Sequence, residues 1–326
     1  MAILILILLI LIPAFGCFVR AFYSVNRKPK DPYALLNGPQ YEASGDKIRA
    51  STRIMDAAEF ETVTIRSYDG TRLTARYYHH KDGAPVKIFF HGYRSMPLRD
   101  CAGGYIIAKK HDINVLAVDH RAHGGSGGHV ITFGIREQQD CRCWAEYAAS
   151  RFGNNVPIIL SGLSMGAATV IMATELQLPP SVACVLADCP YSSPRKILFR
   201  VSRKIGVHPW ISYPFLWLGA LLFGGFNLEK ASAENAVKSS PIPIMIFHGE
   251  DDRLVPCQMS MDMKKISNGS VQLSTFPEAG HGLSYMIDPC RYEADYLAFL
   301  NAIPALKTHL DVVKTAQNSA STHANI

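Results

Sequence analysis

Short, largely apolar runs alternate with longer stretches of mixed polarity over most of the chain. Runs of this length indicate strands buried on both faces, as in a parallel sheet that is covered by helices on each side. The predicted strands are 86–90, 115–118, 156–160, 182–187, 242–247 and 271–276. The intervening stretches predict helices near 100–110, 135–151, 166–176, 258–267 and 290–302.

The region ahead of these runs has a different period. Apolar and polar residues alternate over 62–66 and 73–77, on either side of Asp69-Gly70, which predicts an antiparallel hairpin. The expected fold class is therefore α/β: an N-terminal antiparallel hairpin that leads into a mostly parallel, doubly wound sheet. Residues 23–59 form an entry segment, 60–303 the main domain and 304–326 a polar tail.

One stretch is too long to be a simple crossover between strands. It covers 191–240, and Ser193-Pro194 provides a good helix start, as N-cap and first-turn residues. A basic amphipathic segment, 195–204, precedes the almost wholly apolar segment 210–226. We interpret 191–240 as an inserted helical lid. The apolar segment either caps the site or lies on a membrane surface; a second span is marginal because it contains Pro214 and three glycines.

The first 19 residues contain 17 apolar residues and no charge, and they account for the high apolar content of the chain, 48%. We predict a transmembrane anchor over 1–22, since 18 uncharged residues just span a bilayer. Two alternatives are a cleaved signal peptide and a misplaced start codon, because no basic residue precedes the apolar stretch.

The net charge of +6 is concentrated in two segments. Residues 20–30 carry +4 and the lid segment 195–204 carries +5, so the remainder is slightly acidic. The basic flank places the main domain in the cytoplasm by the positive-inside rule. Eight cysteines show no disulfide framework, and Cys141-x-Cys143 has no second half of a metal site. No metal, cofactor or nucleic-acid signature is found.

A G-x-S-x-G motif, residues 162–166, joins a buried strand to a helix. This context predicts a nucleophile elbow: Ser164 occupies a strained turn, and the flanking glycines leave room for it. The Met165 N–H then lies at a helix N-terminus, where it could bind an oxyanion.

The partners that a nucleophilic serine needs follow other predicted strands. Asp252 comes after 242–247, His281 after 271–276, and Tyr93, a second oxyanion donor through its backbone, after 86–90. Asp188, Asp251 and Glu250 remain alternative acids. His91 and His248 are expected to shape loops; His120, His123 and His129 are expected to be structural, and Asn268-Gly269-Ser270 to be a turn.

These motifs resemble those of the α/β-hydrolase superfamily, and particularly of membrane-anchored bacterial serine hydrolases related to its prolyl-oligopeptidase-like and depalmitoylase-like branches. The resemblance covers about 60–303 and depends on FFHGYRS, VDHRAHGGSGG, SGLSMGAAT, ADCPYSS, HGEDDRLVP and PEAGHGLSY. It selects Asp252 over Asp251 as the acid. Ala122 stands where the family usually has glycine.

The resemblance implies a hydrolase with a Ser164–His281–Asp252 triad that cleaves a carboxylic ester, with an acyl or lipid-like substrate favoured by the apolar lid. A peptidase or thioesterase that uses the same triad is one alternative. A catalytically silent membrane-bound binding module is another.

Overall fold

A single sheet dominates the computed structural model, which describes residues 2–24 and 31–309. Within these residues the strands lie in the order β1-β2-β4-β3-β5-β6-β7-β8. They are β1 Glu61–Arg66, β2 Arg72–Tyr78, β3 Val86–Phe90, β4 Asn114–Asp119, β5 Ile158–Leu163, β6 Val182–Asp188, β7 Ile244–Gly249 and β8 Val271–Phe276. Strand β2 pairs antiparallel with β1 and β4, and all other neighbours are parallel. The predicted fold class is confirmed.

Helices cover both faces of the sheet and extend to its carboxyl edge. The helices that precede β5 in the chain are α1 Ala2–Ala21, α2 Pro39–Ala43, α3 Gly45–Asp56, α4 Pro97–Asp100, α5 Ala102–Lys110 and α6 Glu137–Phe152. The others are α7 Met165–Ala173, α8 Pro194–Lys204, α9 Pro209–Leu222, α10 Ala233–Ser239, α11 Gln258–Ile266, α12 Ser284–Ile287 and α13 Pro289–Asn301. The core forms two layers, one around Trp144 and the other around Tyr105.

Two strands begin later than the apolar pattern predicts. Strand β5 begins at Ile158 and β7 at Ile244, each directly after a proline. Pro157 and Pro243 have no N–H to give to the ladder, although their carbonyls accept bonds from Val86 and Val185. Strands β3 and β8 coincide with their predicted ranges.

The inserted segment between β6 and β7 contains α8, α9 and α10. Helix α8 begins at Pro194, and the Ser193 side chain accepts a hydrogen bond from the Lys196 N–H. Two of the five basic side chains of this helix form ion pairs with glutamates of the same inserted segment. Lys196 pairs with Glu234, and Arg195 lies 3.7 Å from Glu229 while its guanidinium covers nearby aromatic rings.

Helix α1 is the one helix among the described residues that is long and apolar enough to cross a bilayer, a test that a signal sequence also passes. Its first half is exposed, whereas Ala14 and Phe18 in its second half and Phe22 just beyond it are buried. This face packs against α9. The rings of Phe15 and Phe223 are 5.1 Å apart, and Gly219 lies directly against Ala14.

Parts of two predictions lie outside the described residues. They are the basic positions Arg27, Lys28 and Lys30, and residues 310–326 of the polar tail. The first residues of that predicted tail, 304–309, are helical, and Leu306 is buried.

The α1–α9 contact predicts a difference between two glycine substitutions. A Cβ on Gly219 would lie 2.4 Å from the Ala14 carbonyl oxygen, whereas a Cβ on Gly16 of α1 would meet nothing within 4 Å. We expect Gly219→Ala to lower the free energy of unfolding by about 1–3 kcal/mol. The matched Gly16→Ala should leave it unchanged or raise it by up to ~1 kcal/mol. Chemical unfolding in detergent measures both, and equal stabilities would contradict the observed packing.

Candidate active site

Ser164 lies on the sharp turn between β5 and α7. Its φ of 56° and ψ of −109° are unusual for a residue with a side chain. The flanking glycines permit the turn by close approach: a Cβ on Gly162 would lie 2.3 Å from the Gly166 backbone, and one on Gly166 only 1.9 Å from the Phe90 carbonyl oxygen. The local sequence thus makes the strained turn possible and leaves Ser164 where β5 ends.

The structure brings Ser164, His281 and Asp252 together in one hydrogen-bonded chain. Ser164 Oγ is 2.9 Å from His281 Nε2, and His281 Nδ1 is 2.6 Å from Asp252 Oδ2. The three residues come from the ends of β5, β7 and β8, which parallel pairing places at the same edge of the sheet. With a proton on Nδ1, the imidazole donates to the carboxylate, and Nε2 can accept from the serine hydroxyl.

The Asp252 carboxylate is buried in a cage of donors. Burial by itself would raise its pKa, but His281, His248 and the Val255 N–H hold the pKa of Asp252 well below its usual range. Its Oδ1 accepts 2.8 Å hydrogen bonds from the backbone N–H groups of Leu254 and Val255. The carboxylate is therefore fixed in position and ionised.

The alternative acids have other surroundings. Glu250 and Asp251 are exposed, and Glu250 accepts a hydrogen bond from Thr275. Asp188 is buried, which raises its pKa to about 6, and its backbone carbonyl accepts the Ser164 N–H at 2.8 Å. Of the four candidate acids, all within the described residues, Asp252 is the one that is hydrogen-bonded to the His281 imidazole.

The loop after β3 lies beside the serine. A Cβ on Gly92 would be 3.6 Å from Ser164 Cβ, and the next residue is Tyr93, the predicted oxyanion donor. Asp100 holds this loop, since its carboxylate accepts hydrogen bonds from the Gly92 N–H at 2.8 Å and from Ser95 Oγ at 2.6 Å. The other predicted donor, Met165, is the first residue of α7. Backbone N–H groups at such a place can bind an anionic oxygen.

Several histidines hold loops in position. His91 Nε2 accepts the His120 N–H, and His123 Nε2 accepts the Arg94 N–H at 3.0 Å. His248 bonds the Val255 carbonyl and Ser260, next to Asp252. His129 stacks on Tyr23.

Sequence reasoning missed the role of the entry segment. Tyr41, on α2, donates from its hydroxyl to the His281 carbonyl at 2.8 Å, and the neighbouring Gln40 side chain fills the space beside Gly280. Both contacts cross some 240 positions of sequence, so no local pattern could have indicated them. The entry segment therefore helps to position the histidine loop.

Cys189 is a third polar neighbour of His281. Its Sγ is 4.0 Å from His281 Nε2. Among the described residues, Cys189, Asp252 and His281 form a cluster of side chains of the types that bind metal ions. Burial raises the pKa of the Cys189 thiol well above its usual value, so it is protonated at neutral pH. Both His281 nitrogens are engaged in the hydrogen-bonded chain. We assign no metal here.

A cavity of about 100 Å³ adjoins His281. Its wall is more apolar than polar and includes Leu163 of the elbow, Leu35 and Tyr41 of the entry segment, and Leu283 and Met286 after the histidine. It also contains the charged residues Lys87, Arg99, Asp100 and Asp188. The cavity is small beside the roughly 300–1,000 Å³ of drug-sized ligand sites. It offers room for a modest apolar group next to His281.

The comparisons with known proteins agree with the fold. A model of the alpha/beta hydrolase family matches residues 88–295, more than half of the chain. The chain belongs to the alpha/beta hydrolase family.

Its similarity to individual proteins is more distant. The chain is 24% identical over 189 residues to the uncharacterized protein YqkD of Bacillus subtilis, a match over 58% of this chain and 62% of that protein. It is 26% identical over 204 residues to Protein ABHD12B of Homo sapiens, over 58% and 52% of the two chains. The chain thus spans between half and two thirds of these curated relatives. The esterase Pf2001 of Pyrococcus furiosus has a similar fold, with a TM-score of 0.63 at 22% identity over 83% of this chain and 99% of that one.

The carboxylate geometry predicts unequal effects of three isosteric substitutions. We expect Asp252→Asn to lower kcat by about 10³–10⁴-fold on any ester that the wild type cleaves, because the amide favours the wrong imidazole tautomer. Asp251→Asn should leave kcat within about twofold, since this side chain is exposed. Asp188→Asn is a second control, at a buried position, and it should lower kcat less than Asp252→Asn does. Steady-state kinetics measure all three, and a larger loss in either control would move the acid to that residue.

Proposed function

We propose that the chain is a serine esterase. The observation that carries the proposal is the hydrogen-bonded chain Ser164–His281–Asp252, with 2.9 and 2.6 Å between its polar atoms. A serine next to an oriented, neutral imidazole is the arrangement that acyl transfer requires. The similar fold of the esterase Pf2001 supports the choice of substrate class.

The reaction that we propose has two steps. Ser164 Oγ attacks the ester carbonyl carbon as His281 Nε2 takes its proton, and the imidazolium then protonates the leaving alcohol. Asp252 stabilises the imidazolium, and the N–H groups of Tyr93 and Met165 receive the carbonyl oxygen as it becomes negative. Water, activated by the same histidine, then releases the acid from Ser164.

The apolar cavity favours uncharged acyl groups of modest size over charged substrates. Leu163, Leu283 and Met286 can contact an acyl chain, and the cavity volume, about 100 Å³, leaves little room for a long one. A small-molecule acyl or lipid-like ester is therefore the proposed substrate class.

A fluorophosphonate probe and an ester panel test this proposal. We expect the probe to label the wild type and not Ser164→Ala. We also expect p-nitrophenyl esters of about two to eight acyl carbons to be cleaved with a higher kcat/KM than long-chain esters or charged peptides.

Two outcomes would replace the proposal. Preference for a peptide or a thioester would move the chain to those activities on the same triad. No labelling of a well-folded wild type would favour a binding module, and Ser193→Ala, at the cap of α8, is a matched serine control that should label normally.

We further propose that α1 is an uncleaved anchor, with the catalytic domain in the cytoplasm. The exposed apolar half of α1, residues 2–13, is only about 18 Å long at 1.5 Å per residue, short of the ~30 Å hydrocarbon core. Helix α9 lies along the docked half and has its own exposed apolar side chains, including Trp210, Ile211, Leu222 and Phe223. The two helices together present a longer apolar surface to the bilayer. Arg203 and Lys204, both exposed, are well placed to meet anionic headgroups.

Fluorescence in nanodiscs tests the contact of the lid with lipid. Trp210 is 63% exposed, whereas Trp144 is fully buried. We expect lipids brominated in their acyl chains to quench wild-type fluorescence, and Trp210→Phe to remove most of the quenched component. Trp144→Phe is the control and should leave the quenched component in place. Trp217, the third tryptophan, also lies on α9 and is partly exposed. The absence of quenching in both the wild type and Trp210→Phe would therefore place α9 in water.

A further inference from the structure

The end of helix α1 and the two residues after it are hydrogen-bonded to the catalytic domain through four consecutive carbonyl groups, those of residues 20–23. Helix C-termini leave their final carbonyls without partners inside the helix. Here Ala21 O accepts from the Tyr93 hydroxyl at 2.8 Å, and Arg94 Nη2 donates to Arg20 O at 2.9 Å and Tyr23 O at 3.1 Å. Phe22 O accepts from the Ile131 N–H at 2.8 Å. A guanidinium at this end is also favoured by the helix dipole.

Two of these donors belong to the loop that carries the proposed oxyanion donor. Tyr93 and Arg94 directly follow Gly92, which lies against Ser164. The same helix end reaches Tyr93 through an aromatic row: Phe22 packs edge-on against Phe133 at 5.7 Å, and Phe133 stacks on the Tyr93 ring at 5.0 Å. Phe22 has no exposed surface.

The loop needs such support because its backbone is strained. Arg94 has a φ of 51°, in the left-handed region that side chains rarely adopt. Its N–H donates to His123 Nε2, and its guanidinium holds the end of α1. Strained backbone persists where the surroundings determine it from several sides. The carbonyls of α1 supply one of those sides.

We propose that the last turn of α1 and the residues directly after it, 20–23, position the oxyanion loop. This inference rests on the proposed esterase function. In it, the carbonyls of Arg20, Ala21 and Tyr23 fix Tyr93 and Arg94, and so the backbone N–H that receives the substrate oxygen. Helix α1 is then a positioning element of the active site as well as an anchor, and its removal by a signal peptidase would lower turnover.

The magnitudes make the effect measurable. An oxyanion donor contributes about 10²–10³-fold to kcat, and a displacement of about 1 Å at a reacting group can cost ~10²-fold. Loosening the loop rather than deleting the donor should therefore cost about tenfold or more. The loss should fall on kcat, since the oxyanion forms only in the transition state.

Three variants of the full chain, purified in nanodiscs, test the proposal. Tyr93→Phe removes one hydroxyl and keeps both the ring stack and the backbone N–H. Arg94→Gln removes the guanidinium, and Arg94→Lys keeps a charged donor. Arg136→Gln is the matched control, because Arg136 donates to the carbonyls of Gly224 and Gly225 after α9 and makes no hydrogen bond to the 92–95 loop.

We expect the Tyr93→Phe/Arg94→Gln double variant to lower kcat on p-nitrophenyl butyrate about tenfold or more, with KM within about twofold. The inhibition constant of a trifluoromethyl ketone, which forms an oxyanion on the serine, should rise in parallel with the loss of kcat/KM. Arg94→Lys should recover part of the activity, and Arg136→Gln should match the wild type. A merely structural role would change the unfolding midpoint but not the ratio of ketone affinity to KM.

An unchanged kcat in the folded double variant would overturn the positioning role, as would a loss of kcat without a loss of ketone affinity. If the double variant does not fold, Tyr93→Phe alone decides, since it deletes a single oxygen atom. The behaviour of the wild type distinguishes a failure of the positioning role from a failure of the esterase function. Probe labelling and ester cleavage with unaffected variants contradict only the positioning role, whereas a folded wild type that neither labels nor cleaves contradicts the esterase function and this inference with it.

Discussion

The close approach of α7 to β3 is the constraint on which the site depends. Gly166 lies so near the Phe90 carbonyl that any Cβ would overlap it, at 1.9 Å. This contact brings the N-terminus of α7 against the end of β3, and therefore Met165 and Ser164 against the loop that begins at Gly92. Ser164 adopts a positive φ, 56°, because the chain must reverse direction within one residue. The strain at the serine is a consequence of the tight packing of helix against strand.

Parallel strands with carboxyl ends at one edge explain why much of the site could be predicted from the sequence. Once β5, β7 and β8 were identified by their apolar runs, Ser164, Asp252 and His281 had to lie near one another. The turn motif and strand ends are local features and are visible in a single sequence. The strand starts were less predictable, because apolar residues ahead of Pro157 and Pro243 look like strand but cannot continue the ladder.

Sequence reasoning missed the residues that support the site. Tyr41 reaches the His281 carbonyl from α2, and Asp100 reaches the Gly92 N–H from α4. Neither residue belongs to a motif or lies at a strand end. The charge pattern likewise does not show which basic residues of α8 are paired: Lys196 pairs with Glu234, whereas Arg203 and Lys204 are exposed.

The docking of α1 argues against a simple tether. A span joined to its domain by a flexible linker would leave the domain free to turn above the bilayer. Here Phe18 and Phe22 are buried in the domain, and Tyr23 pairs with Val130, so the docking contacts precede residues 25–30 along the chain. On the proposed topology the domain is therefore held at the bilayer surface in one orientation. Helix α9 lies beside the span, and the oxyanion loop lies at the end of it. An apolar ester that partitions into the bilayer would then contact the lid before it contacts water. This route would suit an enzyme whose small cavity favours apolar groups, and it accounts for an anchor that is docked beside the oxyanion loop.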